Sequence, residues 1–83
     1  MKGYRVEIRP AALDFIKAQT QKHRKQIASK INGLKLEPRP KTAEKLENSD
    51  GLWRVRSGDF RIIYTIEDNA LLVVVVTAGN RKD

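Results

Sequence analysis

LWRVRSGDFRIIY, residues Leu52 to Tyr64, decides the fold. Gly58 and Asp59 suit a two-residue hairpin loop, because glycine takes the positive φ that the favoured turns need. With that loop, Ser57 faces Phe60, Arg56 faces Arg61, Val55 faces Ile62, Arg54 faces Ile63 and Trp53 faces Tyr64. The alternation then puts Trp53, Val55, Phe60, Ile62 and Tyr64 on a face to be buried, and Arg54, Arg56 and Arg61 together on the other. Like charges facing each other on a sheet are destabilising by roughly 0.2–1 kcal/mol, so folding alone does not select this cluster. It is either a solvated face neutralised by Glu44, Glu47 or Asp59, or an anion site, for which guanidinium forks are well shaped.

The rest of the chain supplies the layer for that hairpin to pack on. Tyr4, Val6 and Ile8 alternate with Arg5, Glu7 and Arg9 in the pattern of a strand, which Pro10 ends. Pro10 also suits the first turn of a short helix carrying Ala12, Leu13, Phe15 and Ile16. A second helix begins near Gln21, with Ile27, Ile31 and Leu34 as its apolar stripe, and stops near Glu37 because Pro38 disfavours helical geometry before it. After a short extended piece over Lys45–Glu47, the two hairpin strands and the apolar strand Leu71–Val76 complete the order βααβββ. A two-residue loop at Asp68-Asn69 would set Glu67 opposite Ala70, Arg61 opposite Val76, Ile63 opposite Val74 and Thr65 opposite Leu72. The expected architecture is α+β, a small antiparallel sheet with two N-terminal helices on one face, the apolar last strand lying inside it.

Eighty-three residues make one domain, 1–83, with one core. There is no cysteine, hence no disulfide framework or Cys-based zinc site, as suits a reducing cytoplasm. The longest apolar run is too short to span a bilayer, and the N-terminus lacks a signal-peptide pattern, so a cytoplasmic protein is expected. Seventeen Lys and Arg against ten Asp and Glu give a formal charge of +7, which favours a polyanionic partner, nucleic acid or an acidic protein. His23 has no second histidine to form a metal pair and reads as a solvated helix residue. Neither a carboxylate pair nor a glycine-rich loop marks a metal or phosphate site.

The chain resembles the RelE-type toxins of the RelE/ParE toxin-antitoxin superfamily. The likeness is carried by the basic helical hairpin ending in EPRP (Glu37 to Pro40), by Lys45-Leu46, by LWRVRSGDFRIIY, and by the closing strand running into GNR (Gly79 to Arg81). It implies a ribosome-dependent mRNA endoribonuclease that inhibits translation, without metal or cofactor, by attack of a ribose 2′-OH on the adjacent phosphate in the A site. It implies catalytic roles for Arg54, Arg56, Arg61 and Arg81 as stabilisers of the charged phosphorane. Lys22, Arg24, Lys25, Lys30 and Lys45 are the expected contacts to RNA and the small ribosomal subunit. A RelB-like antitoxin is the implied partner, docking an apolar helix face on the strip Ile63, Leu72, Val74 and Val76, and operator DNA is reached only through that complex. Relatives commonly end in a GHR-x-x-VY pattern, whereas Asn80 replaces its histidine and its tyrosine is absent before Asp83. Either the natural chain runs further, or the toxin cuts weakly, or it binds without cutting. A ParE-like inhibitor of DNA gyrase is the alternative on the same fold.

Overall fold

A computed structural model describes residues 3–80. Strand β1 (Arg5–Ile8) leads into α1 (Pro10–Lys17) and α2 (Gln21–Leu36), followed by β2 (Glu44–Lys45), β3 (Trp53–Ser57), β4 (Phe60–Glu67) and β5 (Leu72–Asn80). The helix boundaries follow local chemistry. Pro10 opens α1. The Thr20 hydroxyl accepts the His23 backbone N–H at 3.4 Å to cap α2. Glu37, held extended before Pro38, ends it.

The five strands lie in the order β1-β5-β4-β3-β2. The two helices pack on one face, where Ala12, Ile27, Ile31 and Leu34 meet Val55, Phe60, Ile62, Tyr64, Val73 and Val75 in the core. The apolar β5 is internal, as its sequence requires. Only part of the sheet is antiparallel: β1 runs parallel to β5, with Arg5 opposite Leu72 and Ile8 opposite Val75, so the sheet is mixed. Alternation identifies a strand but carries no direction. The helical hairpin between β1 and β2 returns the chain to the far edge, and the closing strand then meets β1 in parallel.

The β3–β4 register is the one the sequence dictates, from Ser57 opposite Phe60 to Trp53 opposite Tyr64. Gly58 has φ +62°, and the Gln26 side-chain amide occupies the space a β-carbon there would need. The β4–β5 register differs from expectation. Asp68–Ala70 forms a 3-10 turn, Leu71 follows in the left-handed region at φ 51°, and Glu67 therefore faces Leu72 rather than Ala70. A β-bulge between Ile63 and Tyr64 leaves Val76 as the extra residue of β5, so Ile63 faces Thr77 and Arg61 faces Gly79. Thr65 is opposite Val74, not Leu72.

The longer turn has a tertiary cause. Asp68 accepts the Tyr4 hydroxyl at 2.8 Å and both terminal nitrogens of Arg39 at 3.2 and 2.8 Å. A two-residue loop would pull that carboxylate into the strand end. The same Arg39 lies over the Trp53 ring at 5.5 Å, and the buried Tyr64 hydroxyl donates to the Pro38 carbonyl at 2.7 Å. The segment after α2 is thereby fastened to both the sheet and the β4–β5 turn.

Candidate functional site: the arginine face

Arg54 and Arg56 on β3 and Arg61 on β4 occupy the sheet face away from the helices, because each alternates with a buried neighbour that faces the core. Arg56 and Arg61 are directly opposed across the two strands. Among the described residues neither forms an ion pair. Arg54 is different: Glu44, its partner on β2, accepts from Nη2 at 3.2 Å. The Arg54 side chain is only 28% exposed, and its Nε is buried with no hydrogen-bond partner. A buried donor left unmade is costly, and an anion oxygen reaching Nε would satisfy it. Glu44, 59% exposed, is the carboxylate in contact with the arginine cluster and is placed to accept a proton there. Among the described residues the countercharge reading is thus met for Arg54 and not for Arg56 or Arg61.

The other expected site residues fall elsewhere. Lys22, Arg24 and Lys25 are exposed on α2, in the layer opposite the arginine face, and Lys30 is half-buried along the same helix. Lys45 is exposed on the edge strand β2, opposite Trp53. Ile63, Leu72, Val74 and Val76 are all half-buried; Val74 lies between Glu7 and Thr65 in the sheet, and Val76 sits at the bulge. Arg81 lies outside the described residues; β5, which precedes it, ends with Asn80 opposite Phe60. His23 is half-buried and not simply solvated, its ring meeting Phe60 edge-on at 5.0 Å between centroids. Among the described residues no cluster of metal-ligating side chains is present. No helix of the described residues is long and apolar enough to cross a membrane.

Tyr64 is unsuited to acid-base work here, since it faces the core and burial pushes its phenol from 10.0 up to about 12. On the other side of the sheet's end, the bidentate hydrogen bonds from Arg39, then the Tyr4 hydroxyl, hold the Asp68 carboxyl below its usual value. That pair is a structural clamp between the segment after α2 and the β4–β5 turn.

The family described as ParE toxin of type II toxin-antitoxin system, parDE, matches residues 6–83. The chain belongs to the RelE/ParE toxin superfamily. Its fold is that of the RelE toxins. The archaeal RelE-RelB complex from Pyrococcus horikoshii OT3 contains a chain 25% identical, matched over 94% of both chains with a TM-score of 0.83. The RelBE2 complex from Mycobacterium tuberculosis matches all of this chain and 97% of its own at 22% identity and a TM-score of 0.86. The intact E. coli RelBE complex follows at 23% identity, 93% and 95% coverage, and a TM-score of 0.79. No curated protein sequence matches significantly. The protein is the toxin of a type II toxin-antitoxin system.

Proposed function

We propose that this toxin is a ribosome-dependent mRNA endoribonuclease, cutting in the A site and so inhibiting translation. The observation that carries the reading is the pair Arg56 and Arg61, opposed on one face with no carboxylate between them and beside a third guanidinium whose Nε–H is unmet. In the reaction the ribose 2′-oxygen bonds to the adjacent phosphorus and the bond to the 5′-oxygen breaks, leaving a 2′,3′-cyclic phosphate and a 5′-hydroxyl. Charge accumulates on the non-bridging oxygens, where fixed guanidinium donors act most strongly. Arg56, Arg61 and Arg54 supply them, and Arg81 shares the role by the family resemblance. An arginine cannot take the 2′-OH proton at any working pH. Glu44 takes it, steered by its contact with Arg54, and the leaving oxygen is protonated from solvent.

The cations of α2, Lys22, Arg24 and Lys25, are contacts to ribosomal RNA, the charge of +7 favouring that encounter. A RelB-like acidic antitoxin is the silencing partner, its apolar side on Ile63, Leu72, Val74 and Val76 and its carboxylates on the arginines. The match to the ParE family favours one second reading, inhibition of DNA gyrase. The deciding experiment presents the toxin to ribosomes holding a defined A-site codon and maps new 3′ ends for cyclic phosphate. Intact mRNA together with a trapped gyrase-DNA cleavage complex selects the second reading.

A further inference from the structure

Arg56, Arg61 and Gly79 form one row across the sheet: Arg56 on β3 is directly opposite Arg61 on β4, and Arg61 is directly opposite Gly79 on β5. Opposed residues point to the same face, so the row holds two guanidinium side chains and then a position with no side chain at all. With neighbouring strands about 4.8 Å apart, the three positions cover about 10 Å. The gap lies directly beside Arg61, on the face that carries the arginines.

A glycine within a strand weakens it, by roughly 0.5–1 kcal/mol relative to alanine, and calls for a reason. Backbone conformation does not supply one, since Gly51 and Gly58 are the described glycines with positive φ and Gly79 is not among them. A bulge does not either, because the register shift between β4 and β5 falls between Ile63 and Tyr64, away from the pairing of Arg61 with Gly79. Nor does packing: no heavy atom stands within 4 Å of the place a β-carbon would take. The remaining reason for a strand glycine is the close approach of something from outside the chain. Access is open, because β1 pairs with β5 only through Leu72–Val75, and past Val75 the outer edge of β5 has no strand partner among the described residues. The exposed Thr77 lies two residues back on the same face, opposite Ile63.

We propose that Gly79 is the bed for the sugar-phosphate backbone of a single-stranded RNA. The nucleotide beside the scissile phosphate lies against the β5 main chain there, at the depth that brings that phosphate within reach of Arg61 and Arg56, and the Thr77 hydroxyl contacts the neighbouring ribose. The proposal rests on the RNA-cleaving reading of the arginine face and adds how the strand is seated on it. Charge and shape together choose the occupant. Two opposed cations call for an anion beside the gap. An acidic protein carries its carboxylates on side chains, which reach a guanidinium while the main chain stays above the sheet. A nucleic acid carries its charge in the chain itself, so the chain must come down to the arginines, and a missing side chain beside them is what permits it.

Gly79→Val is the test, since valine suits a strand and the space it enters is empty, so the thermal midpoint should be unchanged or higher. Isotopically labelled wild type and variant are titrated with inorganic phosphate and with an RNA trinucleotide whose 2′-deoxy sugar at the cut prevents cleavage, and backbone amides are followed by NMR. Phosphate should bind both equally, the arginines being intact. The trinucleotide should shift Thr77 and Gly79 in the wild type and bind about tenfold more weakly to Gly79→Val. On programmed ribosomes Gly79→Val should lower cleavage about 10²-fold, the scale of a misplacement near 1 Å, and Gly79→Ala should lower it less. Thr77→Val should cost about fivefold, the scale of one hydrogen bond. Equal trinucleotide binding by wild type and Gly79→Val overturns the proposal, as does a loss of phosphate affinity in the same measure, which would mean displaced arginines. An acidic peptide that binds the wild type and not Gly79→Val, with trinucleotide binding unaffected, assigns the gap to a protein and overturns it too. Failure of the wild type to cut any mRNA counts against the reading of the arginine face, while the trinucleotide titration still decides the part played by Gly79.

Discussion

The two faces of the β3–β4 hairpin are built from alternate residues of the same thirteen-residue stretch and obey opposite rules. On the helix side, Val55, Ile62 and Tyr64 are completely buried, each side chain contributing to stability by area removed from water. On the other side, Arg56 and Arg61 are opposed like charges, and Arg54 carries an unmet buried donor. One face is optimised for folding; the other is held in an unfavourable arrangement that folding on the first face sustains. Where charge repulsion is retained at the centre of a sheet, the stabilising partner is to be sought outside the chain.

Separating these faces by mutation is the way to test the contrast. The largest effect is expected from Tyr64→Ala, which empties the core and removes the hydrogen bond to Pro38. A loss of about 3–5 kcal/mol by urea unfolding is the expected result, with activity falling only as the folded fraction falls. Arg61→Ala should do the reverse. Cleavage on programmed ribosomes drops about 10²-fold, near 2.7 kcal/mol, while stability holds or rises by a few tenths of a kcal/mol as the repulsion with Arg56 is relieved. A parallel loss of both properties would show that the faces are not independent. Gly58→Ala touches both, since a side chain at φ +62° is strained and displaces the Gln26 amide. It should cost about 1–2 kcal/mol in stability and blur the spacing of Arg56 and Arg61.

The smallest effects are in pH dependence and come from outside the arginine face. Tyr64 is raised in the folded state, so its contribution is complete below pH 10 and is lost as pH rises toward 12. Tyr64→Phe should remove that alkaline loss in a pH series of thermal midpoints. Asp68 is lowered, so its contribution is present above the ordinary carboxylate range and is lost as pH falls through its folded value. Asp68→Asn should flatten the acid limb, and cleavage measured near neutrality should not follow either variant.

Comparing the two hairpins that share β4 shows how far the sequence could be read. The Gly58-Asp59 turn is set by residues within it, and every pairing from Ser57-Phe60 to Trp53-Tyr64 follows by counting. Asp68-Asn69 has the same look, but Asp68 is held by Tyr4 and Arg39, 64 and 29 residues away, and no local pattern announces such partners. The arginine face was legible because it needs only parity within the first hairpin. Glu44 was legible as a countercharge, though its choice of Arg54 depended on the two-residue pairing of β2 with β3. The pocket between α2 and the end of β3, lined by Gly33, Leu34, Pro40 and Ser57, was not legible, because these residues meet only in the folded chain.

The parallel pairing of β1 with β5 has a consequence for synthesis of the toxin. Residues 5–8 find their sheet partners only at 72–75, and β5 must enter between β1 and β4 before the sheet is continuous. Such long-range closure comes late in folding. A nascent chain on the ribosome that makes it therefore carries the arginines of β3 and β4 in an open, unfinished sheet until its last strand has emerged. The fold thus makes completion of the arginine face wait on the entry of β5.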